Sequence, residues 1–528
     1  MWSKGWRERV WSNLNQPWDL IIIGGGITGA GILHHAVSCG LKALLVEAND
    51  FAFGTSSRSS KLVHGGLRYI LQKQYKVTQE SVREREWLLR EATGLVTKLG
   101  FIFPNYQSYH AKSSTLKRLV AVYDLLAPKW DHRWLNRGAL LKIAPVLNSD
   151  GLRDGFLYYD AAMDDSRVLL RVLREAVRAG GTALNYARVE KLLRTADGRV
   201  CGFALKDMGS PDGRTVEIQS RVVVSAVGAW SDELRAQLNA PARLRRLRGS
   251  HLIFTRERMP VERALTVLHP KDRRAMFVIP WEGTTVVGTT DIDQPAELDT
   301  RYAEPFASKD EIDYILQMAD FLIPEAGLKE KDVISTFSGL RPIIHCGAAT
   351  PSGESRAHAI WDEEGLITIT GGKYTTFRIM SRQTVEKALI KLGKLPVVPR
   401  KRVFEPLTKI ANRLLDAATL LYLSGRHGSE TANLVDAAHD GELQRIDGLP
   451  NVWAELRWAA REEGVVHLAD LLLRRVRIGM LLPNGAQDIM DKIRAIVQPE
   501  LGWDDARWAT ELASYRGTWQ RYYSPAPG

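Results

Sequence analysis

The sequence predicts an α/β protein in which a doubly wound, nucleotide-binding unit alternates with an antiparallel sheet and is followed by an all-helical region. Three observations carry that prediction. The run WDLIII at 18–23 meets a glycine cluster, GGGITG, that opens an apolar helical pattern. Short runs rich in Val, Leu and Tyr, split by Asp-Gly turns at 197–198 and 212–213, fill 182–226. From about residue 405 the periodicity becomes helical and strand signals fade.

In chain order, Trp2, Trp6, Val10 and Leu14 recur at four-residue steps, with Lys4, Arg7, Glu8 and Arg9 largely off the stripe. This predicts an amphipathic helix at 1–16. It either lies in a membrane interface with its indoles at headgroup level or packs on its own protein. A strand at 18–23, a helix at 27–39 and a strand at 41–46 follow. Helical periodicity covers 80–99 and 166–179, and strand patterns return at 251–254, 275–279, 284–288 and 366–370. The nucleotide unit is assembled from about 17–75, 150–235 and 350–395, with substrate-binding segments at 76–149 and 236–349. The basic, Pro-containing stretch 392–406 marks the boundary to a helical domain at 396–528.

A chain of 528 residues accommodates two or three domains. Its net charge of +11 calls for an anionic partner, which charge alone does not identify. No apolar run reaches the length of a membrane span. Cys39, Cys201 and Cys346 lie far apart without C-x-x-C spacing, which excludes a disulfide framework, a zinc site and an iron–sulfur cluster and fits a reducing cytosol.

Gly24, Gly26 and Gly29 form G-x-G-x-x-G between a strand and a helix. The first permits the tight turn, the second lets a pyrophosphate approach the backbone, and the third lets helix and strand pack closely. Gly25, Ile27 and Thr28 complete the turn, whose N–H groups favour phosphate. Glu47, with Ala48 behind it, ends the second strand where it would accept hydrogen bonds from a ribose, which argues against NADP. The stretch GTSSRSSKLVHGGLRY at 54–69 then supplies hydroxyls and backbone N–H groups through Thr55, Ser56, Ser57, Ser60, Lys61, His64, Gly65 and Gly66. Two more glycine turns follow, at Ala226–Gly228 and at TGGKYTTFR with Gly372, Lys373 and Thr375. Three separate turns converging on one large anionic cofactor favour a permanently held FAD over NAD.

With IIIGGGITGAGI, GTSSRSSKLVHGGLRY, DDSR, RGSH, FVIPWEG, VVGTTD, FSGLRPI and GGKYTTFR in place, the chain resembles the FAD-dependent, quinone-linked glycerol-3-phosphate dehydrogenases from about residue 10 to 380, with weaker helical similarity to 520. The resemblance implies a Rossmann-type FAD-binding domain interleaved with an antiparallel-sheet substrate domain, as in glutathione reductase and D-amino-acid oxidase. It also implies oxidation of sn-glycerol 3-phosphate to dihydroxyacetone phosphate, with electrons passed to a membrane quinone.

By match to the family's motifs, Arg68, Arg341 and Arg356 are the phosphate ligands, with Tyr69 and Lys373 beside them. Arginine's planar fork suits phosphate oxygens. Any one arginine among 72 Lys and Arg is ordinarily a solvated charge; Arg68 after a glycine pair and Arg341 after a Ser-Gly turn stand out as placed. His251, in RGSHLIF, is the general-base candidate, because imidazole titrates near working pH; His64 is read as a positioning residue. Lys373 is placed by the resemblance at the flavin's pyrimidine edge, completing the catalytic set of His251, Arg341 and Lys373. Asp165 and Arg167 are read as a helix cap and a structural ion pair. Arg248 stands where relatives often carry lysine, and the acid that often follows the arginine matching Arg356 is missing from RAHAIW.

Glycerol-3-phosphate oxidase, with oxygen as acceptor, is the alternative, and the residues above do not separate the two. The Trp-rich N-terminal helix favours the quinone-linked form, peripheral on the cytoplasmic face of a bacterial inner membrane with an anionic lipid surface as partner. The C-terminal helices either cover the active-site domain or make a homodimer. An amine oxidase is disfavoured by the arginines, and RNA binding through RLRRLRGSH by the lack of interleaved aromatics; no nucleic-acid partner is expected.

Overall fold

The computed structural model describes residues 2–66, 75–109, 114, 132–210, 212–295, 304–347, 354, 356–407, 410 and 414–525. Among them, one sheet runs in the order His358–Glu363, Leu366–Gly371, Thr215–Ser225, Trp18–Ile23, Ala43–Val46, Thr182–Leu184. Its pairings from Leu366–Gly371 to Thr182–Leu184 are parallel. Leu20, Ile21 and Ile22 are wholly buried, as a strand covered on both faces requires. The Ile27–Ser38 helix packs between the Asp165–Arg178 and Phe377–Lys391 helices. Ala187–Arg194 and Val200–Asp207 form an antiparallel ribbon that continues from Thr215–Ser225.

The second sheet runs Ile292–Asp293, Leu244–Thr255, Thr284–Gly288, Ala275–Trp281, Ala264–Leu268, Val96–Tyr106, Leu152–Met163, Leu62–Val63, with Val333–Ile344 on Leu244–Thr255 and Arg133–Asn136 on Leu152–Met163. It is antiparallel except between Val96–Tyr106 and Ala264–Leu268. Leu152–Met163 falls in a stretch assigned above to the nucleotide unit. It pairs instead along Val96–Tyr106, because Phe156 and Tyr158 enter the core of this sheet. The helix expected over 80–99 is Tyr75–Glu91. Gly94, at φ 77°, turns the chain into Val96–Tyr106, and a Cβ there would meet the carbonyl oxygen of Leu421 at 2.4 Å. The basic run 243–251 lies in the Leu244–Thr255 strand. Its Arg245, Arg246 and Arg248 are paired with Asp293, Glu233 and Glu311.

The N-terminus corrects the interfacial reading. The helix is short, Trp6–Trp11, and Trp2, Trp6, Trp11 and Leu14 are buried in the nucleotide unit's core. Trp2 packs on Phe51, and Arg7 donates to Asn185 and Asp207. The stripe is apolar because it faces this protein, and the indoles are not available to a bilayer. No described helix is long and apolar enough to cross a membrane.

Beyond Asp416 the described elements are helical and dock on the other two units through buried ions. Asp50 accepts from Nε of Arg474 at 2.6 Å and from both Nη atoms of Arg475 at 2.7 Å. Despite burial, these two cations hold its carboxyl down at about 2. Asp164 caps the Asp165–Arg178 helix and pairs with Arg426, while Arg167 pairs with Glu463. The cap is thus Asp164 rather than Asp165, and the structural ion pair of Arg167 is present. Removing one partner of a buried pair leaves the other charge uncompensated, at a cost of about 3–5 kcal/mol. Asp50→Asn is therefore expected to lower the free energy of unfolding by about that amount, measured by urea denaturation of the FAD-loaded protein; a loss below about 1 kcal/mol, the range of exposed pairs, would mean that Asp50 does not anchor the domain.

Candidate active site

The ends of the parallel strands and the second sheet enclose a cavity of about 530 Å³. Its lining contains most of the residues marked in the sequence: Gly24, Gly26, Ile27, Thr28, Glu47, Ala48, Thr55, Ser56, Ser60, His64, Gly66, Ala226, Gly228, Gly372, Lys373 and Thr375, together with Arg341 and Arg356. Arg68 and Tyr69 lie outside the described residues.

The nucleotide side is built from backbone. Gly24 sits at φ 115°, and a Cβ there would meet the carbonyl oxygen of Ala226 at 2.6 Å. Gly26 starts the Ile27–Ser38 helix without a side-chain cap of its own or an acid in the first turn. That leaves a positive helix terminus on the cavity wall, suited to a pyrophosphate. Gly29 does not line the cavity; its missing side chain lets the helix close on Gly24. Gly25 is also set back, donating to Oε2 of Glu47 at 2.6 Å, while Asn49 donates to Oε1. Burial pushes the Glu47 carboxyl up, with these N–H groups opposing.

Residues 54–66 split in two. Ser56 Oγ accepts from Ile27 N at 2.9 Å, and Thr55 Oγ1 donates to the Leu340 carbonyl. Ser57, Lys61 and Gly65, placed with the cofactor in the sequence, do not line the cavity. Lys61 Nζ is fully buried on the Ser57 carbonyl and both oxygens of Asp165, and sits over the Phe337 ring. Burial and the Arg477 guanidinium push its ammonium down to about 7, with Asp165 opposing. Gly65 N donates to Asp160. The opposite wall carries Lys373, whose Nζ donates to Ser81.

The second sheet supplies the cations. Arg341 Nη1 is 3.0 Å from Asp291 Oδ1 and donates to the Thr290 carbonyl, and Nη2 donates to Thr289. Arg356 and Arg274 reach Oδ2 of the same carboxylate at 3.4 and 3.2 Å. Asp291 is nearly inaccessible, and all three arginines line the cavity. Three guanidiniums thus converge on one carboxylate at the cavity wall. Gly249 makes room for the fork, since a Cβ there would meet Arg341 Nη2 at 2.2 Å. Arg274 was missed because DRRAMF offers no turn that singles out one arginine.

His251 stands behind the wall. It is 1% exposed, stacked on Phe337 at 4.5 Å, and absent from the cavity wall. Its Nε2 pairs with Ser60 Oγ at 2.8 Å, and only that hydroxyl meets the cavity. Burial, then Arg341 and Lys61, hold the imidazole well below its usual range. The imidazole on the wall is His64. Arg248 is paired with Glu311.

Residues 19–378 match the family described as FAD dependent oxidoreductase, and 368–508 match the C-terminal domain of alpha-glycerophosphate oxidase. The chain is 34% identical over 533 residues to glycerol-3-phosphate dehydrogenase 2 of Mycobacterium tuberculosis, covering 96% of this chain and 89% of that one. It is 32% identical to aerobic glycerol-3-phosphate dehydrogenase of Bacillus subtilis, covering 94% of each. A crystal structure of the Bacillus halodurans glycerol-3-phosphate dehydrogenase complexed with FAD superposes with a TM-score of 0.77 at 26% identity, covering 100% of this chain and 99% of that one. An FAD-bound L-alpha-glycerophosphate oxidase from Mycoplasma pneumoniae shares the fold, with a TM-score of 0.58 at 18% identity over 75% of this chain and all of that one. The helix N-terminus on the cavity wall, the glycine turn on Ala226 and the acid after the second strand fit FAD, and the chain belongs to the FAD-dependent glycerol-3-phosphate dehydrogenase family.

Proposed function

We propose that this enzyme oxidises sn-glycerol 3-phosphate at C2 to dihydroxyacetone phosphate and delivers the electrons to a membrane quinone. The observation that carries the substrate is the Asp291 cluster: three arginines gathered at the wall of the FAD cavity bring there the planar forks that suit phosphate oxygens. FAD, when bound, supplies the acceptor for the C2 hydride. Arg274, Arg341 and Arg356 hold the phosphate, and Asp291 fixes the three forks before substrate arrives, so little ordering cost remains. Lys373, beside the Phe377–Lys391 helix, places a cation where negative charge develops.

The C2 hydroxyl must lose a proton as the C–O double bond forms. Two imidazoles compete for that role. His64 lines the cavity itself, whereas His251 is reached through Ser60 and resists protonation. The geometry favours His64 as the acceptor, with Ser60 and His251 ordering the hydroxyl. The relatives of 32–34% identity over nearly the whole chain are named dehydrogenases, which supports the quinone over oxygen.

Three outcomes are expected. Arg274→Gln raises KM for glycerol 3-phosphate by about 10–100-fold, the loss of one charge-assisted hydrogen bond, with FAD content unchanged; an unaltered KM removes Arg274 from the phosphate site. His64→Gln lowers kcat by about 100-fold or more and abolishes the acidic limb of the pH profile, while His251→Asn keeps that limb. The opposite pattern restores His251 as the base. Finally, anaerobic protein bleaches with glycerol 3-phosphate and recovers its colour rapidly with a short-chain ubiquinone and slowly with air. No bleaching removes the substrate, and rapid recovery in air with peroxide makes the enzyme the oxidase.

A further inference from the structure

We propose that residues 387–402 form a docking face for an anionic lipid surface. Between Glu386 and Glu405 the chain carries Lys387, Lys391, Lys394, Arg400, Lys401 and Arg402 and no acid. The Phe377–Lys391 helix ends there, and Gly393 at φ 70° turns the chain outward. Leu395 is 82% exposed, Val397 68% and Ile390 61%, whereas Val398 and Leu392 are buried and anchor the loop. Three large apolar side chains thus project into solvent within eight residues, in a protein that buries its tryptophan-rich N-terminus. Pro396 and Pro399 stiffen the backbone between them and remove two N–H donors.

The pairing of exposed aliphatic tips with a ring of cations selects the occupant. Aliphatic tips enter the headgroup–acyl boundary while Lys and Arg stay with the phosphates. Lys391 is paired with Asp362 and Arg402 lies 3.9 Å from Glu91. For Lys394, Arg400 and Lys401, all exposed, the described residues give no ion pair. A nucleic acid would call for aromatic platforms, which this face lacks. A second copy on a two-fold axis would bring Lys394, Arg400 and Lys401 against the same three cations.

The test uses the full-length FAD-loaded protein and sucrose-filled vesicles of phosphatidylglycerol and phosphatidylcholine in equal parts, or of phosphatidylcholine alone, read by co-sedimentation. The wild type is expected to bind the anionic vesicles at least tenfold better, and to be released as sodium chloride rises from 50 to about 500 mM, where screening is strong. Leu395→Glu/Val397→Glu and Lys394→Glu/Arg400→Glu/Lys401→Glu are each expected to lower the bound fraction tenfold or more. Both should keep their FAD content and far-ultraviolet circular dichroism. Lys4→Glu/Arg9→Glu, on the exposed side of the N-terminal segment, should bind as the wild type does. Binding unchanged in the loop variants, absent in the wild type or lost in the N-terminal variant overturns the proposal. A change from dimer to monomer in light scattering, with vesicle binding intact, overturns it in favour of a self-association surface. Flavin bleaching by glycerol 3-phosphate is read on the same samples, so failure of the substrate reading is separable from failure of docking.

Discussion

One carboxylate, Asp165, fixes the shape of the loop on which the site depends. Its oxygens accept from the Ser59 backbone and hydroxyl, from Lys61 Nζ and from Arg477 Nη2. Arg477 comes from the helical C-terminal domain and also donates to the Ser57 carbonyl. The next residue, Arg58, is held by Glu304 and by Tyr523, near the end of the chain. The loop that presents Thr55, Ser56, Ser60 and His64 is therefore set from behind by groups 104 to 465 residues away in sequence. Such buried pairs add little net stability compared with apolar packing, since desolvation offsets most of the attraction. Their effect here is to permit one loop conformation: any other leaves a charge without its partner.

That arrangement gives the C-terminal helices a role in the site. Arg474 and Arg475 neutralise Asp50, three residues after Glu47, while Arg477 and Tyr523 reach the 54–66 loop. The domain does not itself line the cavity. It positions the two segments that do, and a chain ending near residue 400 would leave Asp50, Asp165 and Arg58 short of their partners.

Much of the fold was legible because local signals and tertiary packing agree there. The strand at 18–23, the glycine turn and the strands at 275–279 and 284–288 fall within a few residues of their observed bounds, each being an apolar run closed by a turn. The helix predicted to 99 failed because apolar spacing continues past Gly94, while a close approach to Leu421, invisible in sequence, turns the chain. At the site, Gly24 and Gly29 were readable, since each marks a place where a Cβ would collide with backbone. Charges were not. Lys61 and Arg341 look alike on paper, yet one is swallowed by Asp165 and the other faces the cavity, a difference decided by which carboxylate the fold brings near. His251 was legible as a placed residue, but a strand pattern does not tell which of its two faces meets the cavity.

The same reasoning resolves where the net charge of +11 acts. The arginine run at 243–248, the densest in the sequence, is largely cancelled by Asp293, Glu233 and Glu311. The interior guanidiniums are matched by Asp50, Asp164, Asp165 and Glu463. Among the described residues, two places gather cations: the Asp291 cluster, where three guanidiniums meet one carboxylate, and the 387–402 segment, where exposed Lys394, Arg400 and Lys401 show no ion pair. The first is walled into a cavity and suits a small dianion held in a fixed geometry. The second lies in the open, spread over an exposed loop with aliphatic tips, and suits a broad anionic surface with no fixed geometry at all. A single figure for net charge therefore conceals two recognitions of different kinds. Only the position of the acids distinguishes them.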